Sequence, residues 1–157
     1  PTAEPAIEAI LNMIRNSKHA LLDLNEARGG LECHIARLAA QRAKPEHIQA
    51  MQAALVQMEE NSKNIGNCAR YDTEFHHLLA QATGNVIFEI MLAPVTKLLG
   101  ESRKATLKAV TPAKSLEGHK KILAAVEKRD SELAAQCMSE HLAMAEHGLK
   151  EPGKQKG

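Results

Sequence analysis

The chain has 157 residues, which is enough for one domain with a substantial buried core. Its 20 basic and 19 acidic residues give a formal net charge of +1, which excludes the strong positive field of a nucleic-acid or anionic-membrane surface. No apolar run is long enough to span a bilayer and no signal peptide is visible. Three cysteines without a CxxC spacing predict reduced thiols in the cytoplasm.

Apolar residues recur at three- and four-residue spacing nearly throughout, and this predicts an all-α antiparallel bundle of about six or seven helices. Pro94 is expected to kink the fifth helix or to lie at a break in it. The predicted helices cover about 5–14, 18–43, 45–60, 64–82, 86–109, 115–128 and, after Asp130 as N-cap, a last helix to about 149. Residues 1–150 are expected to form one domain, and the polar residues 151–157 a disordered tail.

The second predicted helix carries an arginine in the middle of its apolar stripe. Arg28 lies among leucines, and Glu32 follows one turn later at the edge of the stripe. Because an arginine stays charged, a buried one requires an anion. Two interpretations remain open at this point: an Arg28–Glu32 pair within the helix, or a clamp for the carboxylate of a ligand. Gly29 and Gly30 follow, and they allow close approach of another helix or mark a bend.

The fourth predicted helix carries an Asp and a His on one edge of its apolar stripe. Asp72 and His76 are one turn apart, so their side chains can converge on one ion. The neighbouring His77 points away from the stripe, toward solvent. On this helical geometry, His76 is the candidate ligand and His77 is not.

The last two predicted helices each carry a histidine in the middle of the apolar face. His119 and His141 both lie among buried-type residues, whereas His147 falls off that face. A single core histidine most often bonds a carbonyl or carboxylate and binds nothing. Three inward histidines with one inward carboxylate form a ligand set for a divalent transition metal, although spacing alone does not show that they converge.

Three blocks of the chain resemble the FadR-type C-terminal (FCD) domain of GntR-family bacterial transcription regulators. The blocks stand in family order and together cover more than a third of the chain. They are EARGGLECHIARLAAQRA, similar to "aRxxLExxxAxLAAxrA"; YDTEFHHLLAQATGN, similar to "DxxFHxxlaxatgN"; and GHKKILAAVEKRDSELAAQCMSEHL, similar to "HxxIlxAixxgDxxxAxxxmxxHL".

The resemblance implies an all-helical effector-binding and dimerisation domain beside a winged helix-turn-helix DNA-binding domain, which is absent from this chain. Many members bind a divalent metal through one Asp and three His, and hold a small organic acid with the metal and an Arg. Carried onto this sequence, the resemblance implies four metal ligands and one carboxylate contact: Asp72, His76, His119, His141 and, for the carboxylate, Arg28.

The leading hypothesis is therefore a cytoplasmic, homodimeric sensor domain that is not an enzyme. It binds Zn²⁺ or Ni²⁺ and a small hydroxy-, keto- or sugar-acid, and it reaches DNA only through the absent domain. Glu32 is a further ligand-binding candidate. Asn64, Asn67 and Cys68 precede Asp72 by one to two turns and are expected to line the pocket.

Two alternatives remain at the sequence level. One is a metal-dependent helical hydrolase or oxygenase acting on a small carboxylate, with Glu32 or Glu74 as a candidate base. The other is a purely structural dimerisation domain whose histidines are satisfied core residues.

Overall fold

The computed structural model describes residues 4–15 and 20–150, and within these ranges the chain is an all-α bundle of eight helices. None of these helices is both long enough and apolar enough to cross a membrane. The predicted tail at 151–157 and the predicted start of the second helix at residue 18 lie outside the described residues. The helices are α1 (Glu4–Arg15), α2 (Ala20–Arg42), α3 (Pro45–Glu60), α4 (Ile65–Ala82), α5 (Val86–Leu98), α6 (Gly100–Val110), α7 (Pro112–Glu127) and α8 (Ser131–Lys150).

Several helix ends lie where turn and capping chemistry predicts them. α3 begins at Pro45, because proline suits the first helical turn. α4 ends before Gly84, whose φ of 70° is a conformation that glycine adopts without steric cost. Asn85 and Asp130 then cap α5 and α8, each accepting a hydrogen bond from a backbone N–H in the first turn.

The prediction of a single fifth helix over 86–109 is wrong. The structure divides this segment into α5 and α6 at Leu99, while Pro94 lies inside α5. Proline costs a helix one hydrogen bond, but the interruption here comes next to Gly100, which has a low helix propensity. The following helix also starts earlier than predicted, because Thr111 caps it and Pro112 opens its first turn. The bundle therefore has one helix more than expected.

The contacts between helices place α4 and α7 at the centre of the bundle. α3 packs against both of them, and α2 and α6 also contact both and pack on α8. The buried residues of α3 are all apolar. By contrast, α2, α6 and α8 each bury at least one charged or imidazole side chain, namely Arg28 and Glu32, Arg103, and His141. The polar site therefore lies between the central helices and the α2, α6 and α8 side.

Candidate metal centre

Four potential ligand side chains converge in the interior of the bundle. One donor atom from each of Asp72, His76, His119 and His141 lies within 4.8 Å of the donor atoms of the other three, and all four residues are buried. The Nε2 atom of His119 is 3.2 Å from Nε2 of His76 and 3.4 Å from Oδ2 of Asp72. The rings of His119 and His141 have centroids only 4.2 Å apart. The structure thus brings together the side chains that helical spacing alone leaves unconnected.

The helical register explains why these histidines point inward and the others do not. Asp72 and His76 are one turn apart on α4, and Phe75 between them packs edge-on against His119 at a centroid distance of 4.8 Å. The side chain of His77 is 44% exposed, and His147 on α8 is also exposed. The inward and outward positions therefore match the sequence pattern.

The Nδ1 atoms of the three histidines have different surroundings. Nδ1 of His76 contacts Oε2 of Glu32, whereas Nδ1 of His119 and Nδ1 of His141 have no hydrogen-bond partner among the described residues. A Cβ atom placed on Gly118 would lie 2.6 Å from Nδ1 of His141. Glycine at position 118 thus leaves the space that the His141 ring occupies.

Burial keeps these imidazoles in their neutral form. Loss of solvent lowers the pKa of His119 and of His141 to about 3, and it lowers the pKa of His76 as well, although Glu32 opposes that shift. Neutral imidazole is the form that binds a metal ion. The three histidines are therefore in the protonation state that ligation requires at neutral pH.

Asp72 is held by two side chains from α6 and α7. Nε of Arg103 donates to Oδ1 of Asp72 at 2.7 Å, and the hydroxyl of Ser115 donates to Oδ2 at 3.1 Å. Burial alone would raise the pKa of Asp72, but the Arg103 guanidinium and the surrounding imidazoles hold it well below its usual value. Asp72 is thus an ionised carboxylate facing three neutral imidazoles.

A second buried carboxylate links Arg28 to the cluster. Oε1 of Glu32 accepts from Nε of Arg28, and Oε2 contacts Nδ1 of His76. Burial would raise the pKa of Glu32, but Arg28 and His76 lower it well below its usual value. The pair within α2 is therefore present, and it extends to α4. Glu32 orients His76 from behind, in the manner of the carboxylates that support metal-binding histidines.

Two site residues escaped the sequence analysis. Arg103 is buried on the face of α6 that also carries Leu99, Leu107 and Val110, and its Nη2 has no hydrogen-bond partner among the described residues. An arginine in the middle of a leucine stripe is the same signal that identified Arg28. Ser115 lies one turn before His119, so it shares the inward face of α7.

The three other predicted pocket residues lie at the start of α4. Asn64 caps α4, and the side chain of Asn67 is exposed and donates to Asn61 at 3.0 Å. Cys68 is fully buried in the apolar core, where burial raises the pKa of its thiol to about 11. None of the three lines the cavity beside the cluster.

A small cavity adjoins the four donors. Its volume is about 30 Å³, which is more than one bound water requires. The charged and polar lining includes both buried arginines and part of the donor set: Arg28, Arg103, Asp72, Ser115 and His141. This arrangement has room and hydrogen-bond donors for one anionic group beside the cluster.

A family model for the FCD domain matches residues 23–144, which is most of the chain. The chain belongs to the FCD family. It is similar to the HTH-type transcriptional repressor NanR of Cronobacter sakazakii, with 26% identity over 148 residues. The match covers 90% of this chain and 57% of that repressor, so the chain spans little more than half the length of this relative.

Two solved structures share the fold. One is McbR/YncC of E. coli, with a TM-score of 0.75 and 19% identity over 85% of this chain and 69% of that one. The other is a GntR protein of Streptococcus agalactiae, with a TM-score of 0.66 and 27% identity over 80% of this chain and 57% of that one. The predicted family and all-α fold are confirmed: this is an effector-sensing domain of the type found in GntR regulators, which are not enzymes.

Proposed function

We propose that this domain senses a small organic acid together with a divalent transition metal, held by Asp72, His76, His119 and His141. The observation that carries the proposal is the convergence of these four buried donors within 4.8 Å. One carboxylate with three imidazoles suits Zn²⁺ or Ni²⁺, and both ions can bind more than four ligands. When bound, the metal would supply open positions for water or for the oxygens of an acid.

The donor set fits a metal better than it fits a metal-free core. The Nε2 atoms of His76 and His119 face each other at 3.2 Å, so without a metal one of the two rings must carry a proton on Nε2, whereas a metal ion takes both nitrogens unprotonated. The ionised carboxylate of Asp72 lies beside them, with Oδ2 at 3.4 Å from Nε2 of His119. A cation between these donors would satisfy all of them together.

The balance of buried charge favours an anionic effector. Arg28 and Arg103 offset Glu32 and Asp72, and the three buried histidines are neutral, so the cluster has no net charge. A divalent cation would add two positive charges in a region that excludes water, and buried charge requires compensation. A carboxylate supplied by the effector would provide part of it.

Arg103 is the side chain best placed to meet that carboxylate. Its Nε is occupied by Asp72, while its buried Nη2 has no hydrogen-bond partner and the residue lines the small cavity. Arg28 lines the same cavity but already donates its Nε to Glu32. A carboxylate in the cavity would satisfy the remaining guanidinium donors, and such charge-assisted bonds are the stronger kind.

The arrangement does not favour catalysis. Glu32 is buried, its pKa lies well below the usual range, and both of its oxygens contact Arg28 or His76. Glu74 lies on the exposed face of α4. Neither carboxylate is therefore placed to accept a proton from a bound substrate at neutral pH.

In the longer regulator, the same site would control DNA binding from a distance. The cluster joins side chains from α2, α4, α6, α7 and α8, so an effector bound there changes how these helices pack. A difference in effector affinity between two packings would shift the spacing of two DNA-binding domains in a cytoplasmic homodimer.

The test is calorimetric titration of glycolate, the simplest hydroxy acid, into zinc-loaded and chelator-treated protein. We expect binding only in the presence of zinc, and we expect Arg103→Gln at saturating zinc to weaken it by about tenfold, as for loss of one charge-assisted contact. Arg37→Gln is the matched control, because Arg37 pairs with Glu132 at the surface. Equal binding with and without zinc would contradict the proposal.

A further inference from the structure

Two adjacent glycines stand in the middle of α2 without a packing reason. A Cβ atom on Gly29 or on Gly30 would meet nothing within 4 Å outside the neighbouring backbone. The two residues therefore do not serve close approach of another helix. Glycine is less favourable than alanine inside a helix, so both positions lower the stability of α2 without any gain in packing.

Gly29 lines a surface groove, and Gly30 does not. The groove lies between α2 and α8, has a volume of about 240 Å³ and reaches the surface at the exposed residues Glu26 and Ala143. Its lining residues recur at helical spacing on both helices. On α2 they are Asn25, Glu26, Arg28, Gly29 and Cys33, and on α8 they are Ser139, Leu142, Ala143 and Glu146. Gly30 is exposed and is not part of this lining.

The groove adjoins the small cavity beside the candidate metal centre. Asn25, Arg28 and Glu146 line both spaces, and Arg28 is 7% exposed. The inner cavity has a volume of about 30 Å³, and the groove has about eight times that volume. An acid whose carboxylate lies in the inner cavity can extend past Arg28 into the groove.

We infer that the groove between α2 and α8 binds the remainder of the effector, and that Gly29 keeps this subsite open. This inference rests on the proposed function, and it narrows the effector to an acid with a polar chain of several carbon atoms. The polar lining supports a hydroxylated chain, since Asn25, Ser139 and Glu26 offer an amide, a hydroxyl and a carboxylate. An unbranched hydrocarbon tail would form no hydrogen bonds with these groups.

The test compares acids of increasing length on zinc-loaded protein: glycolate with two carbons, D-glycerate with three and D-gluconate with six. In the wild-type chain, affinity is expected to rise from glycolate to gluconate by about tenfold or more, because each added group contacts a formed site. Gly29→Leu fills the subsite and is expected to abolish this gain, while glycolate affinity stays within about twofold of wild type. Gly29→Ala should give an intermediate loss.

Gly30→Leu is the matched control, since it makes the same change one residue away on the exposed side of α2. It should keep the preference for gluconate. Zinc content and melting temperature of both variants show that the fold and the metal centre are intact. A leucine also favours helix over glycine, so neither variant is expected to unfold.

The outcomes separate this inference from the proposed function. If glycolate binds with zinc but affinity does not rise with length, or Gly29→Leu and Gly30→Leu behave alike, the groove subsite is refuted and the effector site stands. If no acid of the series binds the zinc-loaded protein, the effector proposal and the subsite fail together.

Discussion

The helices α3 and α2 flank the same central helices, but only one of them buries charged side chains. Every buried residue of α3 is apolar, whereas α2 buries the Arg28–Glu32 pair and connects it to His76. Apolar burial stabilises the fold whether or not a ligand is present. Buried charge and imidazole stabilise it only when each group has a partner. The comparison therefore divides the bundle into a side that holds the fold and a side whose stability depends on what is bound.

The largest expected effect is the loss of stability when a buried residue of α3 is truncated. Zinc should not change the size of this loss. Met51 on α3 is fully buried, so Met51→Ala should lower the free energy of unfolding by about 3 kcal/mol through lost contacts and a cavity. Urea denaturation with and without zinc measures this, and the loss should be the same in both. Val56→Ala is the control on the same helix, because Val56 is 50% exposed. A zinc affinity that falls in Met51→Ala would contradict the division.

The next effect tests the support that α2 gives to the metal centre. Glu32→Gln removes the charge behind His76 and leaves Arg28 without its anion, so zinc affinity should fall by about 10- to 100-fold. Competition with a chromogenic chelator measures the affinity. Glu74→Gln, at an exposed position of α4, should bind zinc like the wild type. Unchanged affinity in Glu32→Gln would show that Glu32 serves only to neutralise Arg28.

A third effect is the dependence of stability on pH, which we attribute to the buried histidines of the cluster. In chelator-treated protein, burial lowers the pKa of His141 from 6.5 in the unfolded chain to about 3. Its contribution is complete above pH 6.5 and is lost as the pH falls toward 3, because the unfolded state then takes up the proton first. His141→Gln should reduce the slope of stability against pH in this window by at most about 1.4 kcal/mol per pH unit.

The control for that slope is His77→Gln, since the His77 side chain is 44% exposed. Chemical denaturation at a series of pH values between 7 and 4 gives both slopes. Stability that rises in the wild-type chain as the pH falls through this window would reverse the expected sign, and it would mean that His141 gains a proton on folding.

The smallest expected effect concerns the space beside His141. The Cβ of Gly118→Ala would lie 2.6 Å from Nδ1 of His141, so the ring must shift and zinc affinity should fall by up to about tenfold. Gly30→Ala adds a methyl group in open space and should leave zinc affinity unchanged. If both variants bind zinc equally well, the position of the His141 ring is not limited by residue 118.

The inward positions of the site residues could be predicted because they depend on one helix at a time. Successive residues of a helix lie about 100° apart around its axis, and this angle assigns His76 and His141 to buried faces without knowledge of any partner helix. The same rule would have found Arg103 on the leucine face of α6. Arg103 was missed because no apolar face was assigned to the segment 86–109, where Leu99 and Leu107 lie one turn to either side of it.

Contacts between helices could not be predicted from spacing. The link from Glu32 to His76 depends on how α2 packs against α4, and the bond from Arg103 to Asp72 depends on how α6 packs against α4. Asn67 shows the opposite error, because its distance along α4 from Asp72 suggested the pocket while its actual direction is toward solvent. Sequence spacing thus gives the face of a helix but not the neighbour on that face.

The most direct test of the central claim is the zinc content of the purified chain after equilibration with zinc and removal of free metal. Plasma mass spectrometry should find one zinc per chain in the wild type and in His77→Gln, and far less than one in His119→Gln. Absence of stoichiometric zinc in the wild type, or equal content in His119→Gln, would contradict the claim that the four buried donors form a metal site.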